Sequence, residues 1–477
     1  METEMVKPSV PLRVLEFYSG IGGMRFSLEE ANISAIVVEA FEINELANDV
    51  YEHNFHHRPN QGNVQRLTAK ALEKYKADAW LLSPPCQPYT RQGLRKDSDD
   101  ARASSFLQLL DILPQMSAPP THILVENVVG FEFSSTHERL VEILHSEGFA
   151  TQEFILSPLQ FGIPYSRPRY FFLAKRRPLA FAEPELDGCL LCKPAYLECL
   201  LKKGLNSSPF RDENLFAAIK SLIFSTESEE NNDTVSTVGE IPLATIGTET
   251  SDKLSEPELE SSIACMPIRN YLELNYCQLK GSSNTLDKSQ LNFSASKNAA
   301  EGTDKVGNSS HEMQASCCSG IETLHGSVEN FIQLNKKDST TFMNDAWNHY
   351  WVPKQWVERW GDVFDIVTPD SKRCCCFTKS YGRYAKGTGS FLATKNLENL
   401  DLLYQILDRK HSQQECRSTL VDAFGLRYFT SREIANLHSF PPTFTFPKHI
   451  SLKQRYALLG NSLSIRVVST LLWYLFS

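Results

Sequence analysis

The chain has little excess positive charge and no obvious membrane-spanning run. Its 477 residues carry a formal net charge of -9, and the sequence pI is about 5.8. An acidic net charge argues against nonspecific coating of nucleic acid. It is still compatible with a local basic cleft. The first four residues lack the basic start of a signal peptide, and the longest apolar runs fall short of a membrane span. We therefore expect a monomeric protein of the cytoplasm or nucleus that binds no membrane.

The sequence also lacks a complete set of zinc ligands. It contains 12 cysteines, which we expect to be mostly free thiols in a reducing compartment. Cys189, Cys192 and Cys199 lie close together in sequence, but no matching pair of ligands follows them downstream. We therefore expect no bound metal.

Apolar runs alternate with amphipathic segments between about residues 12 and 175, in the rhythm of a parallel α/β sheet. The predicted strands cover residues 13–17, 36–41, 79–82, 122–125 and 170–174. The predicted helices include residues 44–54 and 137–146. We expect a doubly wound, Rossmann-like α/β domain.

The composition changes after this region. Residues of about 207–339 are rich in Ser, Thr, Asn, Glu and Asp, which predicts a polar, flexible insertion. Helical, strongly apolar patterning returns at 431–477. We expect a catalytic domain at 1–185, a smaller target-recognition region at 186–429 that contains the insertion, and a C-terminal segment at 430–477 that returns to the catalytic domain.

A glycine-rich turn, YSGIGG at 18–23, joins the first predicted strand to a helix. Glycines at such a turn let the backbone approach a ligand closely, and Glu42, at the end of the next strand, is placed to bind ribose hydroxyls. Arg25 stands where a dinucleotide fingerprint has its third glycine. The pattern therefore favours adenosine attached to a smaller group, such as S-adenosylmethionine. The alternative is a turn that binds nothing.

Cys86 follows a predicted strand directly, in the stiff sequence SPPCQP. Ligands of open α/β sheets bind outside the carboxyl ends of strands, and the flanking prolines hold the cysteine at a set angle. Glu126 ends another apolar strand. Arg167 and Arg169 are two residues apart on an extended segment, so both guanidiniums are expected to face one cleft. Taken singly, a buried cysteine, a salt-bridged glutamate and solvated arginines are the commoner interpretations.

Together, these groups suit methylation of a pyrimidine at C5. Cytosine C5 is a weak nucleophile, and addition of a thiolate to C6 makes C5 enamine-like. A carboxyl group that hydrogen-bonds N3 and the exocyclic amine stabilises the adduct, and an arginine on O2 holds the ring.

These motifs resemble those of the cytosine-C5 methyltransferases, in the family's order: YSGIGG, PPCQ at 84–87, ENV at 126–128, RPR at 167–169 and GNS at 460–462. The resemblance implies that Cys86 attacks C6, that Glu126 engages N3, and that Arg169 contacts O2 with Arg167 in support. It also implies a site for S-adenosylmethionine, lined by Tyr18, Gly20, Ile21, Gly22, Gly23, Glu42, Ile43, Asn63, Val64, Pro84, Asn461 and Ser462. Asn63 stands where the family usually has an aspartate.

Within the family, CFTK at 376–379 and the segments around 381–390 and 426–430 resemble the type-2 branch. That branch methylates cytosine 38 in the anticodon loop of aspartate tRNA. The basic segment 372–386 supplies aromatic rings for base stacking, including Tyr384. The resemblance implies RNA contacts from Gln87, Cys376, Phe377, Thr378, Lys379 and Tyr381.

Two other functions stay open at this stage. The first keeps the chemistry but takes DNA as the substrate. The second is a catalytically silent RNA-binding protein that retains the pocket as a scaffold. The intact set of Cys86, Glu126 and Arg169 argues against the silent protein, because the loss of one of them would be enough to abolish activity.

Overall fold

The computed structural model describes residues 10–86, 103–192, 264–273, 349–395, 397, 407 and 423–477. These residues fall into two compact units. The first takes in the described residues within 1–271, 364–391 and 429–477, and the second takes in those within 272–363 and 392–428. Segment 364–391 clusters with the first unit, although the predicted domain boundaries place it in the target-recognition region. Those boundaries stay a prediction.

Seven strands of the first unit form one sheet in the order β2-β1-β3-β4-β6-β5-β7. The neighbouring strands from β2 to β4 are parallel, whereas β6 is antiparallel to both β4 and β5. The strands are β1 Leu12–Phe17, β2 Ala35–Phe41, β3 Ala79–Leu82, β4 His122–Val128, β5 Phe149–Leu156, β6 Arg169–Arg176 and β7 Leu190–Leu191.

Strand β5 was missed by the sequence analysis, and the reversed direction of β6 was not anticipated. The sequence of β5, FATQEFIL, carries Gln152 and Glu153 at its centre, yet all eight of its residues are buried. Both polar side chains have partners: Tyr474 donates to Gln152 Oε1 at 2.9 Å, and Tyr170 donates to Glu153 Oε2 at 2.6 Å. Burial of such residues depends on partners distant in sequence, which local patterning does not reveal.

Helices cover both faces of the sheet. Leu15 and Trp80 belong to a core formed with the helices Ser104–Ile112 and Ser135–Ser146. Glu16 points to the opposite face and contacts the helix Glu45–Phe55. This is the doubly wound α/β architecture that was predicted. The helices of the first unit are α1 Gly23–Glu30, α2 Glu45–Phe55, α3 Ala69–Glu73, α4 Ser104–Ile112, α5 Ser135–Ser146, α7 Ser431–Leu437, α8 Leu452–Gly460 and α9 Ile465–Phe476.

The C-terminal segment returns to the first unit through α9, which packs along α1. Arg466 pairs with Glu30 at 2.9 Å, and Ser27 Oγ donates to the carbonyl of Ile465 at 3.4 Å. The span Leu452–Phe476 is apolar and long enough to cross a membrane by composition, but 72% of its apolar window is buried. The break between α8 and α9 divides it into two short helices, as in the core of a folded domain.

The described part of the second unit includes α6, Lys354–Trp360. Within it, the Trp356 and Tyr428 rings meet edge to face at 6.3 Å, and the Val352 amide donates to the carbonyl of Leu426 at 3.2 Å. Strands β8, Ile366–Val367, and β9, Phe391–Leu392, form a separate two-stranded sheet.

Ten described residues, 264–273, lie inside the range predicted as a flexible insertion. The Met266 amide donates to the carbonyl of Gly162 at 2.9 Å, and the Ile268 amide donates to that of Ser371 at 2.9 Å. A 3-10 helix, Ile268–Tyr271, follows. Residues 264–271 of this segment therefore belong to the first unit, a feature that their polar surroundings in the sequence concealed.

Glu16 is a fully buried carboxyl group in β1. Its neighbours on the adjacent strands are Ala40 and Leu81, and the Tyr51 hydroxyl donates to its Oε2 at 2.8 Å. Burial raises the pKa of Glu16 to about 7; the Tyr51 hydrogen bond and the charge of Arg25 oppose this shift. The folded protein therefore holds a proton here that the unfolded chain releases near pH 4.5.

We predict that Glu16 makes the protein less stable as pH rises from about 4.5 to about 7, where the effect levels off. In this window the folded state binds the proton more tightly than the unfolded state does. The cost above pH 7 is on the order of 3 kcal/mol. Urea unfolding at about pH 5 and about pH 8 should show that Glu16→Gln removes this loss. Glu138→Gln, a control at an exposed glutamate, should keep the loss of stability. If stability changed equally with pH in the wild type, Glu16→Gln and Glu138→Gln, Glu16 would not be its source.

Candidate active site

The glycine-rich turn follows β1 and adopts left-handed backbone conformations. Tyr18, Gly20 and Gly22 have φ angles of 58°, 53° and 87°. A Cβ added at Gly20 would meet nothing within 4 Å, whereas one at Gly22 would collide with Phe55. The turn is thus packed on one side and open at Gly20.

The Glu42 carboxylate is held at the open side of this turn. Its Oε2 accepts from the Gly20 amide at 2.9 Å, and its Oε1 accepts from the Asn44 amide at 2.8 Å. Burial raises the pKa of Glu42, against the lowering effect of these hydrogen bonds. The next side chain, Ile43, is 69% exposed. A carboxylate beside an exposed apolar side chain suits a ribose with its attached base.

The residues present fit an adenosine-containing cofactor. The buried Ser19 Oγ has no hydrogen-bond partner among the described residues, so it is available to a ligand at the turn. Ile21 and Val64 are core residues, 3% and 6% exposed. Asn63 is exposed and caps a short 3-10 helix by accepting from the Gln65 amide at 3.0 Å.

The remaining predicted cofactor residues come from two loops. Pro84 is buried after β3, and Asn461 is an exposed C-cap of α8. Ser462 packs against the turn: its Oγ would lie 3.4 Å from a Cβ placed on Gly23. The structure therefore brings the C-terminal loop to the glycine-rich turn.

Cys86 is half-buried beyond the end of β3. Burial raises the pKa of its thiol, and the positive charge of Arg169 opposes this rise. The charges of Glu126 and Arg167 also act on the thiol. Gln87, the next residue, lies outside the described residues.

Glu126 lies at the end of β4 between two polar partners. Ser83 Oγ donates to its Oε2 at 2.5 Å, and Arg169 Nε lies 3.5 Å from its Oε1. Glu126 as a whole residue is 7% exposed. Ser83 was not singled out from the sequence, although its position directly after β3 and before the PPC motif would have been a usable signal. The thiol, the carboxyl group and one guanidinium thus meet at one edge of the sheet.

Arg167 does not share a cleft-facing position with Arg169, contrary to the expectation from their spacing. It is 3% exposed, and its guanidinium points into the protein. The reason is the density of acceptors there, which two-residue periodicity does not report. Its side chain donates to Tyr165 Oη at 3.4 Å, Cys376 Sγ at 3.2 Å, and the carbonyls of Phe377 at 3.3 Å, Gly460 at 3.0 Å and Ser462.

A cysteine-rich segment, residues 374–376, packs beside Arg167. Cys374 exchanges backbone hydrogen bonds with Pro164 and Ser166, each 2.9 Å long. Burial would raise the pKa of the Cys376 thiol, but the guanidiniums of Arg167 and Arg169 lower it overall. Cys376 is therefore held beside the site by Arg167. Among the described residues, no group of three or more His, Cys, Asp or Glu side chains is arranged to hold a metal ion.

Two of the rings expected to stack on RNA are buried instead. Phe377 and Tyr381 are 1% and 2% exposed, and the Tyr381 hydroxyl donates to the carbonyl of Ser390 at 2.7 Å. They hold the loop in shape, because apolar packing there outweighs exposure. Lys379 is exposed and Thr378 is half-buried. Tyr384 is 56% exposed and has the Arg383 guanidinium over its ring at 5.4 Å.

Comparison with known proteins identifies the fold and the family. A family model described as C-5 cytosine-specific DNA methylase matches residues 12–476. The human tRNA (cytosine(38)-C(5))-methyltransferase is 34% identical to this chain over 98% of the chain and 99% of the relative. A Dictyostelium discoideum protein named DNA (cytosine-5)-methyltransferase is 32% identical over 98% of the chain and 94% of the relative.

A solved structure of a DNMT2 mutant from Spodoptera frugiperda is similar over 98% of this chain and 100% of its own, with a TM-score of 0.62 and 27% identity. The match extends over both ends of the chain, which carry the glycine-rich turn and the C-terminal loop. These findings confirm the resemblance drawn from the motifs. The chain belongs to the C-5 cytosine-specific DNA methylase family.

Proposed function

We propose that this enzyme transfers a methyl group from S-adenosylmethionine to C5 of cytosine 38 in the anticodon loop of tRNA-Asp. The observation that carries the proposal is the convergence of Cys86, Glu126 and Arg169 at one edge of the sheet. That edge also carries the glycine-rich turn and Glu42, since β1, β2, β3 and β4 are parallel.

Cys86 is the nucleophile in this reaction. Its thiolate forms a bond to cytosine C6, and the electron pair of the C5–C6 double bond is delocalised through the ring towards N3. Glu126 donates a hydrogen bond to N3, and Ser83 and Arg169 hold this carboxyl group in place. Arg169 also reaches O2, where it stabilises negative charge.

S-adenosylmethionine, when bound, supplies an electrophilic methyl group. The methyl group would pass to C5, and S-adenosylhomocysteine would be the leaving group. A base then removes the C5 proton, the C6–sulfur bond breaks, and the Cys86 thiolate is regenerated. Gly20, Glu42 and Ile43 would hold the adenosine portion, and Ser19 offers a further hydrogen-bonding group.

The choice of tRNA rests on the names of the relatives and on the energetics of base extrusion. The human relative is named for cytosine 38 of tRNA. A base in an anticodon loop is already unpaired, so bringing it into a pocket costs less than flipping it out of a duplex. The name of the Dictyostelium relative keeps duplex DNA as the second candidate substrate.

Replacement of the nucleophile tests the proposed reaction. Cys86→Ala should reduce label transfer from S-adenosylmethionine to unmodified tRNA-Asp by at least about 10³-fold, because no C6 adduct forms. Cys375→Ala is a matched control at an exposed thiol and should retain activity. Transfer by Cys86→Ala at the wild-type rate would refute the mechanism, and faster wild-type transfer into duplex DNA than into tRNA would refute the substrate.

Glu126→Gln tests the hydrogen bond to N3. The amide keeps the shape of the carboxyl group but cannot exchange a proton with the ring, so we expect kcat to fall about 10²- to 10⁴-fold. Glu142→Gln, an exposed carboxyl change on α5, serves as the control. Single-turnover methyl transfer measures the step directly, and an unchanged rate in Glu126→Gln would remove Glu126 from the chemistry.

The exposed loop around Lys379 should contact the RNA backbone. Lys379→Ala and Tyr384→Ala should each raise the KM for tRNA by about 3- to 30-fold with little change in kcat, since a phosphate or stacking contact is lost. Lys70→Ala, on the exposed face of α3, is the matched control. Equal KM values in all three variants would place the RNA elsewhere on the protein.

A further inference from the structure

Arg167 connects three segments that are far apart in the sequence. Its guanidinium donates to Tyr165, to the carbonyl of Phe377, and to the carbonyls of Gly460 and Ser462. Among the described residues, no carboxylate lies within ion-pair distance of this buried cation. Neutral oxygens and the Cys376 sulfur accept from its two Nη atoms, whereas Nε has no hydrogen-bond partner among the described residues. The placement of these acceptors determines where the guanidinium lies.

The Tyr165 hydroxyl bonds both Arg167 and His438, and the protonation of the His438 ring determines which group donates in each hydrogen bond. Its Nδ1 lies 2.9 Å from the carbonyl of Ile434, which can only accept, so Nδ1 carries the proton. Burial lowers the pKa of His438 well below its ordinary value, so the ring is neutral and Nε2 is an acceptor. Since Nε2 can only accept, the 3.2 Å hydrogen bond between Tyr165 and His438 is donated by the Tyr165 hydroxyl. Its oxygen is then free to accept from Arg167.

The other end of this chain of contacts reaches the glycine-rich turn. A Cβ on Gly460 would collide with the backbone of Thr378 and Lys379. Residues 460–462 therefore fit closely against the loop that contains these two residues. Ser462, whose carbonyl accepts from Arg167, has its hydroxyl against Gly23. A shift of the guanidinium would therefore be transmitted to the wall of the turn.

We propose that Tyr165 and His438 are positioning residues that act through Arg167 on the backbone of 460–462, and thereby set one wall of the cofactor site. The cofactor part of this inference rests on the proposed function. The side-chain hydrogen bonds of Tyr165 and His438 join these residues to each other, to Arg167 and to the carbonyl of Ile434. Both act by orienting one hydroxyl group towards one guanidinium.

Cofactor affinity and backbone exchange test this inference together. By calorimetry, Tyr165→Phe should weaken S-adenosylmethionine binding about 3- to 10-fold, the effect of one lost hydrogen bond to a charged group. Hydrogen exchange at the Asn461 and Ser462 amides should speed up by a similar factor without any ligand. Tyr474→Phe, which loses the buried hydrogen bond to Gln152, is the matched control and should lower the melting temperature without either effect.

Two further variants test the route through Arg167. In an Arg167→Lys background, Tyr165→Phe should add less than about twofold to the dissociation constant, because lysine lacks the guanidinium fork. His438→Gln should change binding less than His438→Leu, since the glutamine oxygen can still accept from Tyr165.

The outcomes separate the inference from the proposed function. If Tyr165→Phe leaves both affinity and exchange at the Tyr474→Phe level, or if its effect is fully additive with Arg167→Lys, the inference is wrong. A wild-type protein that binds no S-adenosylmethionine would instead refute the proposed function. In that case, faster exchange at 461–462 in Tyr165→Phe would still support the positioning route, and unchanged exchange would overturn it.

Discussion

The arrangement of the site depends on a buried guanidinium that several backbone carbonyls hold, with no carboxylate partner in the part of the chain that the structure describes. Arg167 joins the loop before β6, the cysteine-rich segment and the turn after α8. A buried cation needs its hydrogen-bond acceptors in place, because burying it without those hydrogen bonds would cost several kcal/mol of folding free energy. The C-terminal segment is therefore required for the site and is more than a cover for the sheet. This accounts for a catalytic unit assembled from both ends of the chain.

The parts of the site that could be predicted from the sequence are those placed by local geometry. Cys86 and Glu126 each follow a short apolar run, and parallel strands end at one edge of the sheet, so their proximity follows from topology. Glu42 follows from the same rule applied to β2, and the structure places it on the Gly20 amide. Such predictions need only the positions of the strands. The apolar runs predict most strand ends to within one or two residues.

The parts that could not be predicted depend on contacts between distant segments. The inward direction of Arg167 is set by acceptors about 210 to 295 residues away in sequence. Burial of Phe377 and Tyr381 likewise comes from packing against rings such as Phe429 and Tyr456. A basic segment with aromatic residues looks the same in sequence whether its rings face solvent or the core. Exposure is a tertiary property, so Tyr384 could be distinguished from the other two only in the structure.

The two thiols near these arginines differ in a way that bears on the proposed reaction. Cys376 receives a hydrogen bond from Arg167 at 3.2 Å, and its pKa is lowered despite burial. Cys86 feels Arg169 only through its charge, and burial raises its pKa. Burial therefore disfavours the thiolate form of Cys86, which is the nucleophilic form, and the charge of Arg169 favours it. In the proposed reaction, Arg169 therefore supports the Cys86 thiolate as well as the carboxyl group of Glu126.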